Sequence, residues 1–264
     1  MRYEATTALV TGASSGIGAE FARRLARRGA DIVAVARRVE ELEALADEIR
    51  AETGRRVHVV PFDLSEDRAG HRLAGHLAEA GLRVENVVNC AGVGLTRAFA
   101  DATEEEIRRQ LRVNIDATVD VSHAFIAQLV DAGQGALINV ASLTAYMPVP
   151  GMAVYAASKS FVVRFTEALA HEVRWSGVTV MAVSPGPTAT EFYNTSGTTE
   201  SGVRFQTPDQ VVTTALDALQ RRNPPVSVIS GARNRWIKRL VGTLPARIVV
   251  RAAETRPANS VTPG

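Results

Sequence analysis

The chain has 264 residues, 46% hydrophobic and 22% charged, with a net charge of +2 and a single cysteine, Cys90. That usage is ordinary for a globular domain and excludes a chain disordered over most of its length; the size fits one α/β domain or two small ones. One cysteine excludes an intramolecular disulfide and suits a reducing compartment. Residues Met1 to Gly12 lack a charged start followed by a long apolar run, and no stretch reaches the roughly 18 apolar residues that cross a bilayer. The expectation is therefore a cytoplasmic protein without a signal peptide or a transmembrane segment. Charge is unevenly spread: Arg221 to Arg256 holds nine Lys/Arg and one acid, Glu254, while the rest of the chain is mildly acidic.

Apolar runs alternate with amphipathic ones. Thr7–Val10 reads as a strand and Gly16–Arg28 as a helix. Asp31–Ala36 is a second strand, followed by a helix over Val39–Thr53. Val57–Val60 is a third strand, with a helix near Glu66–Ala80, and Val84–Asn89 is a fourth. A long helical stretch covers Thr103–Ala132. Ala136–Val140 is a fifth strand, Tyr155–Trp175 a helix and Val178–Ser184 a sixth strand. Pro208–Arg221 is a helix with proline in its first turn, and Val226–Ile229 a last short strand. Strands apolar throughout and separated by helices predict an α/β fold, a doubly wound parallel sheet of the Rossmann type in one domain over residues 1–232. Ligand is then expected at the carboxyl ends of the strands. Pro187–Thr207, rich in Thr, Ser and Gly, reads as a loop or lid. Residues 233–264 form a basic extension with an amphipathic piece, Trp236–Leu240, and Pro257–Gly264 reads as disordered.

Thr11-Gly12-Ala13-Ser14-Ser15-Gly16-Ile17-Gly18 joins the first strand to the first helix. Gly12 permits a tight turn, Gly16 lets the backbone approach a pyrophosphate, and Gly18 lets the helix sit close to the sheet. Phosphates there would meet free N–H groups and the positive end of the helix dipole. The second strand ends Val35-Ala36-Arg37-Arg38, without the acid that binds ribose hydroxyls in NAD-binding proteins of this architecture. Guanidinium binds a 2′-phosphate bidentately, so NADP(H) is expected over NAD, with Arg37 the first candidate and Arg38 the second. The plain alternative is two solvent-facing arginines at a strand end.

Tyr155-Ala156-Ala157-Ser158-Lys159 places Tyr and Lys four residues apart, on one helix face. A neighbouring ammonium favours the phenolate, and a tyrosine so tuned exchanges a proton with an alcohol or alkoxide. Lysine is scarce in this chain, only Lys159 and Lys238 among many arginines, so Lys159 is not background composition. Ser142 follows the fifth strand, where its hydroxyl can polarise a carbonyl. Asn114 lies within an amphipathic helical stretch, as an exposed polar residue or as a buried one holding a water that feeds Lys159.

These residues together resemble the short-chain dehydrogenase/reductase family over about residues 5–230. The resemblance rests on Thr11-Gly12-x-x-x-Gly16-Ile17-Gly18, Asp63-Leu64, Asn89-Cys90-Ala91-Gly92, Asn114, Ser142, Tyr155-x-x-x-Lys159 and Pro185-Gly186. It implies that Asn114, Ser142, Tyr155 and Lys159 form a catalytic tetrad and that Ser14, Ser15 and Ile17 sit in the cofactor loop. Asp63, with Leu64, would hold the adenine amine, Asn89 through Gly92 would line the cofactor, and Lys159 would also hold the nicotinamide ribose. The turn Pro185-Gly186-Pro187-Thr188 would cover the nicotinamide. Cys90 stands where the family often has a second Asn, which puts a sheet-stabilising hydrogen bond in doubt; a lone Cys after an apolar strand reads as inert. The tail resembles the C-terminal extension of a bacterial branch of the family.

The uncharged run Met147–Val154, with Phe192 and Tyr193 beyond the cofactor turn, suits an apolar ketone or alcohol, or else packs on itself. The tail helix Trp236–Leu244 is expected near the substrate loop or at a subunit contact, with a peripheral membrane contact as the alternative. The long helices resemble those through which the family associates, implying a homodimer or homotetramer. No motif for nucleic acid is present and no metal is called for. The competing reading is an NADP-binding sensor or scaffold without turnover.

Overall fold

In the computed structural model, residues 4, 6–192 and 205–253 are described. Seven strands form one sheet: β1 Thr7–Thr11, β2 Asp31–Ala36, β3 Val57–Pro61, β4 Asn86–Asn89, β5 Ala136–Val140, β6 Thr179–Ser184 and β7 Ser227–Ile229. The order is β3-β2-β1-β4-β5-β6-β7, and each neighbouring pair is parallel. The chain crosses from β3 back past β1 to β4, so the strand order reverses between β1 and β4. Their carboxyl ends, Thr11 and Asn89, flank the crevice where such sheets bind ligand.

Helices cover both faces because the strands are apolar on both. On one face Ala8 and Val10 of β1 lie under α1 (Gly16–Arg27), α2 (Val39–Thr53) and α7 (Pro208–Leu219), through Phe21, Leu42, Ile49 and Leu216. On the other, Leu9 of the same strand lies under α3 (Ala69–Glu79) and α5 (Ala117–Ala132), through Leu73, Phe125 and Leu129. Period-2 alternation thus sends neighbouring residues of one strand into two separate cores.

Most expected elements stand within a residue or two. The third helix begins later than expected, at Ala69, because Asp63 and Ser65 close a turn first and Arg68 sits at a φ of 54°. The expected continuous helix Thr103–Ala132 is two. Thr103 and Glu106 cap α4 (Glu104–Leu111) reciprocally, and a π-helical turn over Arg112–Asp116 separates it from α5. α6 spans Ala153–Glu172, opening two residues before Tyr155. After β7 the chain continues into α8 (Ala232–Val241) and α9 (Ala246–Ala252), the latter after Pro245. Among the described residues no helix is long and apolar enough to cross a membrane. Pro257–Gly264, Tyr193 and residues 193–204 of the expected lid lie outside the described residues.

Candidate active site

The glycine loop leaves β1 with Gly12 and Gly16 at positive φ. A Cβ on Gly18 would stand 2.2 Å from the Gly12 carbonyl oxygen, so the third glycine lets the first turn of α1 close back on the loop, where the sequence reading had it packing on the sheet. Thr11 fixes the loop to its neighbour: its Oγ1 accepts from the amides of Cys90 (3.0 Å) and Ala91 (3.1 Å). The two chain segments at the strand-order reversal are thereby locked together.

Beyond β2 the two arginines diverge. Arg37 is exposed. Arg38 turns to the glycine loop, donating from Nη2 (3.1 Å) and Nε (3.3 Å) to the Ser14 hydroxyl, and it pairs with Glu191 at 2.8 Å and Glu41 at 3.2 Å. At the end of β3, Asp63 accepts from the Ser65 amide (2.9 Å) and hydroxyl (2.7 Å). Burial works to raise its carboxyl. The Ser65 bonds, with Arg37 and Arg109 nearby, outweigh burial and hold it below the ordinary range. Leu64 is buried in the core beside it.

Asn89 ends β4 at the crevice. Its side chain turns into the sheet, donating to Asn139 Oδ1 (2.9 Å) on β5 and to Ser122 (3.2 Å) on α5; Asn139 in turn donates to Thr166 (2.9 Å) on α6. The sheet-stabilising bond left in doubt by Cys90 is therefore made by its neighbour. Burial pushes the Cys90 thiol up to about 12, which keeps it protonated and unreactive.

Asn114 sits in the π turn and is fully buried, which removes its exposed reading. It clasps the loop after β4 at both backbone groups: Val93 N–H donates to its Oδ1 and its Nδ2 donates to Val93 O, each at 2.9 Å. Nδ2 also meets Ser158 Oγ (3.1 Å) on α6. A Cβ on Gly92 would lie 3.3 Å from Lys159 Nζ and 3.4 Å from Asn114 Oδ1, so Gly92, Asn114 and Lys159 converge on one spot.

Tyr155 and Lys159, one turn apart on α6, are both buried. Lys159 Nζ lies 5.9 Å from the Tyr155 ring centroid and donates to Val140 O at 2.9 Å. Burial lowers the Lys159 ammonium from 10.5 to about 8. Ser142 follows β5 and its hydroxyl engages Thr144, at 2.9 Å to Oγ1 and 3.2 Å to the amide, opening a 3₁₀ turn over Leu143–Tyr146. Val149, Met152, Tyr155 and Ala156 pack as one cluster with Met147 and Phe192; the Phe192 ring stands 5.4 Å from that of Tyr155.

The turn after β6 is held by residues that the sequence reading missed. Pro185 O accepts from Leu143 N (2.7 Å), tying the turn to the Ser142 segment. Gly186 N donates to Gln206 Oε1 (3.2 Å), which also accepts from Asn234 Nδ2 (3.1 Å) on α8; Asn234 also donates to Ser230 O (2.7 Å). Thr188 is buried and donates to Gly186 O. Buried amides such as Asn234 bridge distant segments, and neither spacing nor composition marks them in advance.

The sequence model of the short chain dehydrogenase family matches residues 6–201. The chain belongs to this family. Sulfoacetaldehyde reductase 2 of Chromohalobacter salexigens is 35% identical over 253 residues, 94% of this chain and 93% of its own length. The 7beta-hydroxysteroid dehydrogenase of Clostridium sardiniense is 32% identical over 230 residues, 86% of each chain. A short-chain dehydrogenase from Sphingobium yanoikuyae, solved in complex with NADPH, is 34% identical and superposes with a TM-score of 0.81 over 97% of this chain and 98% of its own. This short-chain dehydrogenase is accordingly an oxidoreductase of alcohol and carbonyl substrates, with the family's seven-stranded parallel sheet.

Proposed function

We propose that the chain interconverts an apolar ketone and its alcohol, using NADP(H), with Tyr155 as the acid–base. The observation that carries this is the buried Tyr155–Lys159 pair at the carboxyl edge of β5. Bound NADP(H) supplies or accepts a hydride. The protein's residues do the rest. The Tyr155 hydroxyl gives its proton to the nascent alkoxide or takes one from the alcohol, and the Lys159 charge favours the phenolate. Ser142 donates to the carbonyl oxygen, and Asn114 keeps the Gly92–Val93 loop beside Lys159.

For the cofactor, the loop from Gly12 through Ser15, Gly16, Ile17 and Gly18 fits a pyrophosphate because α1 opens there with no N-cap side chain bonded to its first amides, which with the positive end of the helix dipole suit an anion. Arg38 is the better-placed guanidinium for a 2′-phosphate, reversing the order of the two arginines, because it already touches Ser14; Arg37 lies nearer Asp63. Asp63 and Leu64 would hold the adenine, Ala91 and Gly92 the ribose side, and Pro185, Gly186 and Thr188 the nicotinamide. The relative solved with NADPH supports this choice.

The apolar substrate follows from Met147, Val149, Met152 and Phe192 around Tyr155. The sulfoacetaldehyde reductase is named for a small anionic aldehyde and the hydroxysteroid dehydrogenase for a bulky steroid, so substrate trials should include both kinds. The sheet domain over residues 1–232 and the basic extension form the unit that we place in the cytoplasm. A homodimer or homotetramer is supported by Phe161, 40% exposed on α6 and stacked on Phe165. The test is a paired titration with NADPH and NADH, then loss of NADPH absorbance against a panel of ketones and aldehydes. Ketone-dependent oxidation that disappears in Tyr155→Phe is expected. Equal efficiency with NADH would end the cofactor reading, and tight NADPH binding without turnover on any substrate would favour a sensor.

A further inference from the structure

The arginines of the sheet domain mostly face acids: Arg23, Arg27, Arg55, Arg56, Arg72 and Arg108 each pair with a carboxylate. The two C-terminal helices do not follow this pattern. From Ala232 to Ala253 there are six basic residues, Arg233, Arg235, Lys238, Arg239, Arg247 and Arg251, and no acid. None of the six makes an ion pair with a described residue.

The same helices leave large apolar side chains in water. Trp236 is 70% exposed, Leu240 50% and Ile248 46%. α8 is nonetheless firmly seated on its other side. Asn234 is buried against the Pro185–Gly186 turn, Ile237 and Val241 are half-buried, and Lys238 Nζ stands 5.6 Å above the Tyr146 ring in the 3₁₀ turn after Ser142. At about 100° per residue, Trp236 and Leu240 form a ridge on the outward face, with Arg233 to one side and Arg239 and Arg235 to the other.

We infer that this face is a docking surface for an anionic lipid bilayer, lying in the plane of the interface. An amphipathic helix with a tryptophan and leucine ridge and flanking arginines suits the headgroup boundary, where the ridge enters the apolar layer and the guanidinium groups stay at phosphate level. The unpaired charge is what selects the bilayer as occupant. A second copy of this chain would bring Arg233, Arg235 and Arg239 against themselves, and a nucleic acid would leave the ridge without an apolar partner. The docked helix is the one that holds the Pro185–Gly186 turn through Asn234, so the candidate active site would stand one helix away from the lipid. The inference does not depend on the substrate or cofactor reading.

The test uses the full chain and sedimentation with vesicles of phosphatidylcholine, alone or mixed in equal parts with phosphatidylglycerol. Binding to the anionic vesicles only, reversed by salt, is expected. In Trp175→Phe, which leaves Trp236 as the one tryptophan, emission shifts to the blue on vesicle binding. Trp236→Ser with Leu240→Ser abolishes sedimentation and leaves the far-ultraviolet circular dichroism unchanged. Each juxtamembrane cation is worth about fivefold in partitioning, so Arg239→Gln with Arg247→Gln weakens binding by about 25-fold. Failure to sediment, equal binding to neutral vesicles, or binding indifferent to the Trp236/Leu240 pair would overturn the inference. So would self-association lost in that pair without vesicle binding, which assigns the face to a second copy, or retardation of DNA in its place.

Discussion

Replacing Lys159 with Met should make the cofactor-free protein more stable at neutral pH while removing its activity. Burial lowers the Lys159 ammonium from 10.5 to about 8, so the unfolded chain holds this proton more tightly than the folded one. At about 1.4 kcal/mol per decade of proton affinity, the folded state bears a cost of about 3 kcal/mol. The cost is complete below about pH 8, shrinks as pH rises and is gone above 10.5. Methionine keeps the length of the side chain and removes the charge, but it also removes the bond from Nζ to Val140 O, worth about 1 kcal/mol. The net gain in Lys159→Met is then about 2 kcal/mol near pH 7, turning into a loss of about 1 kcal/mol above 10.5. Urea unfolding of both proteins across this range measures it. Cys90 acts in the opposite direction: its thiol, raised by burial from 9.0 to about 12, contributes stability that is present below pH 9 and lost above it. That loss is common to both proteins and cancels in their difference. A difference that stays constant from about pH 7 to about pH 10 would refute the assignment of Lys159 as a buried, strained cation.

Three further outcomes follow from named contacts. Arg38→Gln should weaken NADPH binding by roughly 10- to 100-fold, the worth of a charge-assisted bond, and leave NADH binding unchanged; Arg37→Gln should do less, and fluorescence titration separates the two. Gly186→Ala places a Cβ 2.3 Å from Asn234 Nδ2 and should cost about 1–3 kcal/mol as overpacking, partly recovered in the double variant with Asn234→Ala; additive losses in urea unfolding would show that the clash relaxes elsewhere. Asn114→Leu leaves both Val93 backbone groups without their clasp and should cost about 2–6 kcal/mol, at about 1–3 kcal/mol for each buried group left unsatisfied; a change within experimental error would mean that water takes its place.

Much of the framework was legible because it rests on short-range rules. Apolar runs such as Asp31–Ala36 read as strands since both sides of them are buried, and the glycine spacing named the loop after β1. What the sequence concealed depends on direction in space. Arg37 and Arg38 are adjacent and chemically identical, and only the twist at the end of β2 sends one to solvent and the other to Ser14. Asn89 sits inside the family motif, yet its amide faces the sheet. Nothing in the pattern of Thr103–Ala132 signals a π turn, because one extra residue per turn leaves an amphipathic stretch amphipathic. The tail helix was expected near the substrate loop; it rests on the Leu143–Tyr146 turn through Lys238, but its hold on Gly186 through Asn234 could not be foreseen.

The π turn at Arg112–Asp116 also governs how the chain tolerates change in length. A π turn takes up one more residue than an α turn, and so rotates everything before it by about 100° relative to everything after it. Deleting a single residue within 112–116 would let α4 and α5 fuse into one regular helix, with no side chain lost from either core. It would also remove the wide turn that aims Asn114 at Val93. A one-residue deletion inside the π turn is thus felt at the Gly92–Val93 loop, whereas the same deletion elsewhere in α4 or α5 would turn one helix by about 100° against the other, and in the exposed stretch after α7 it would alter only the path between two elements.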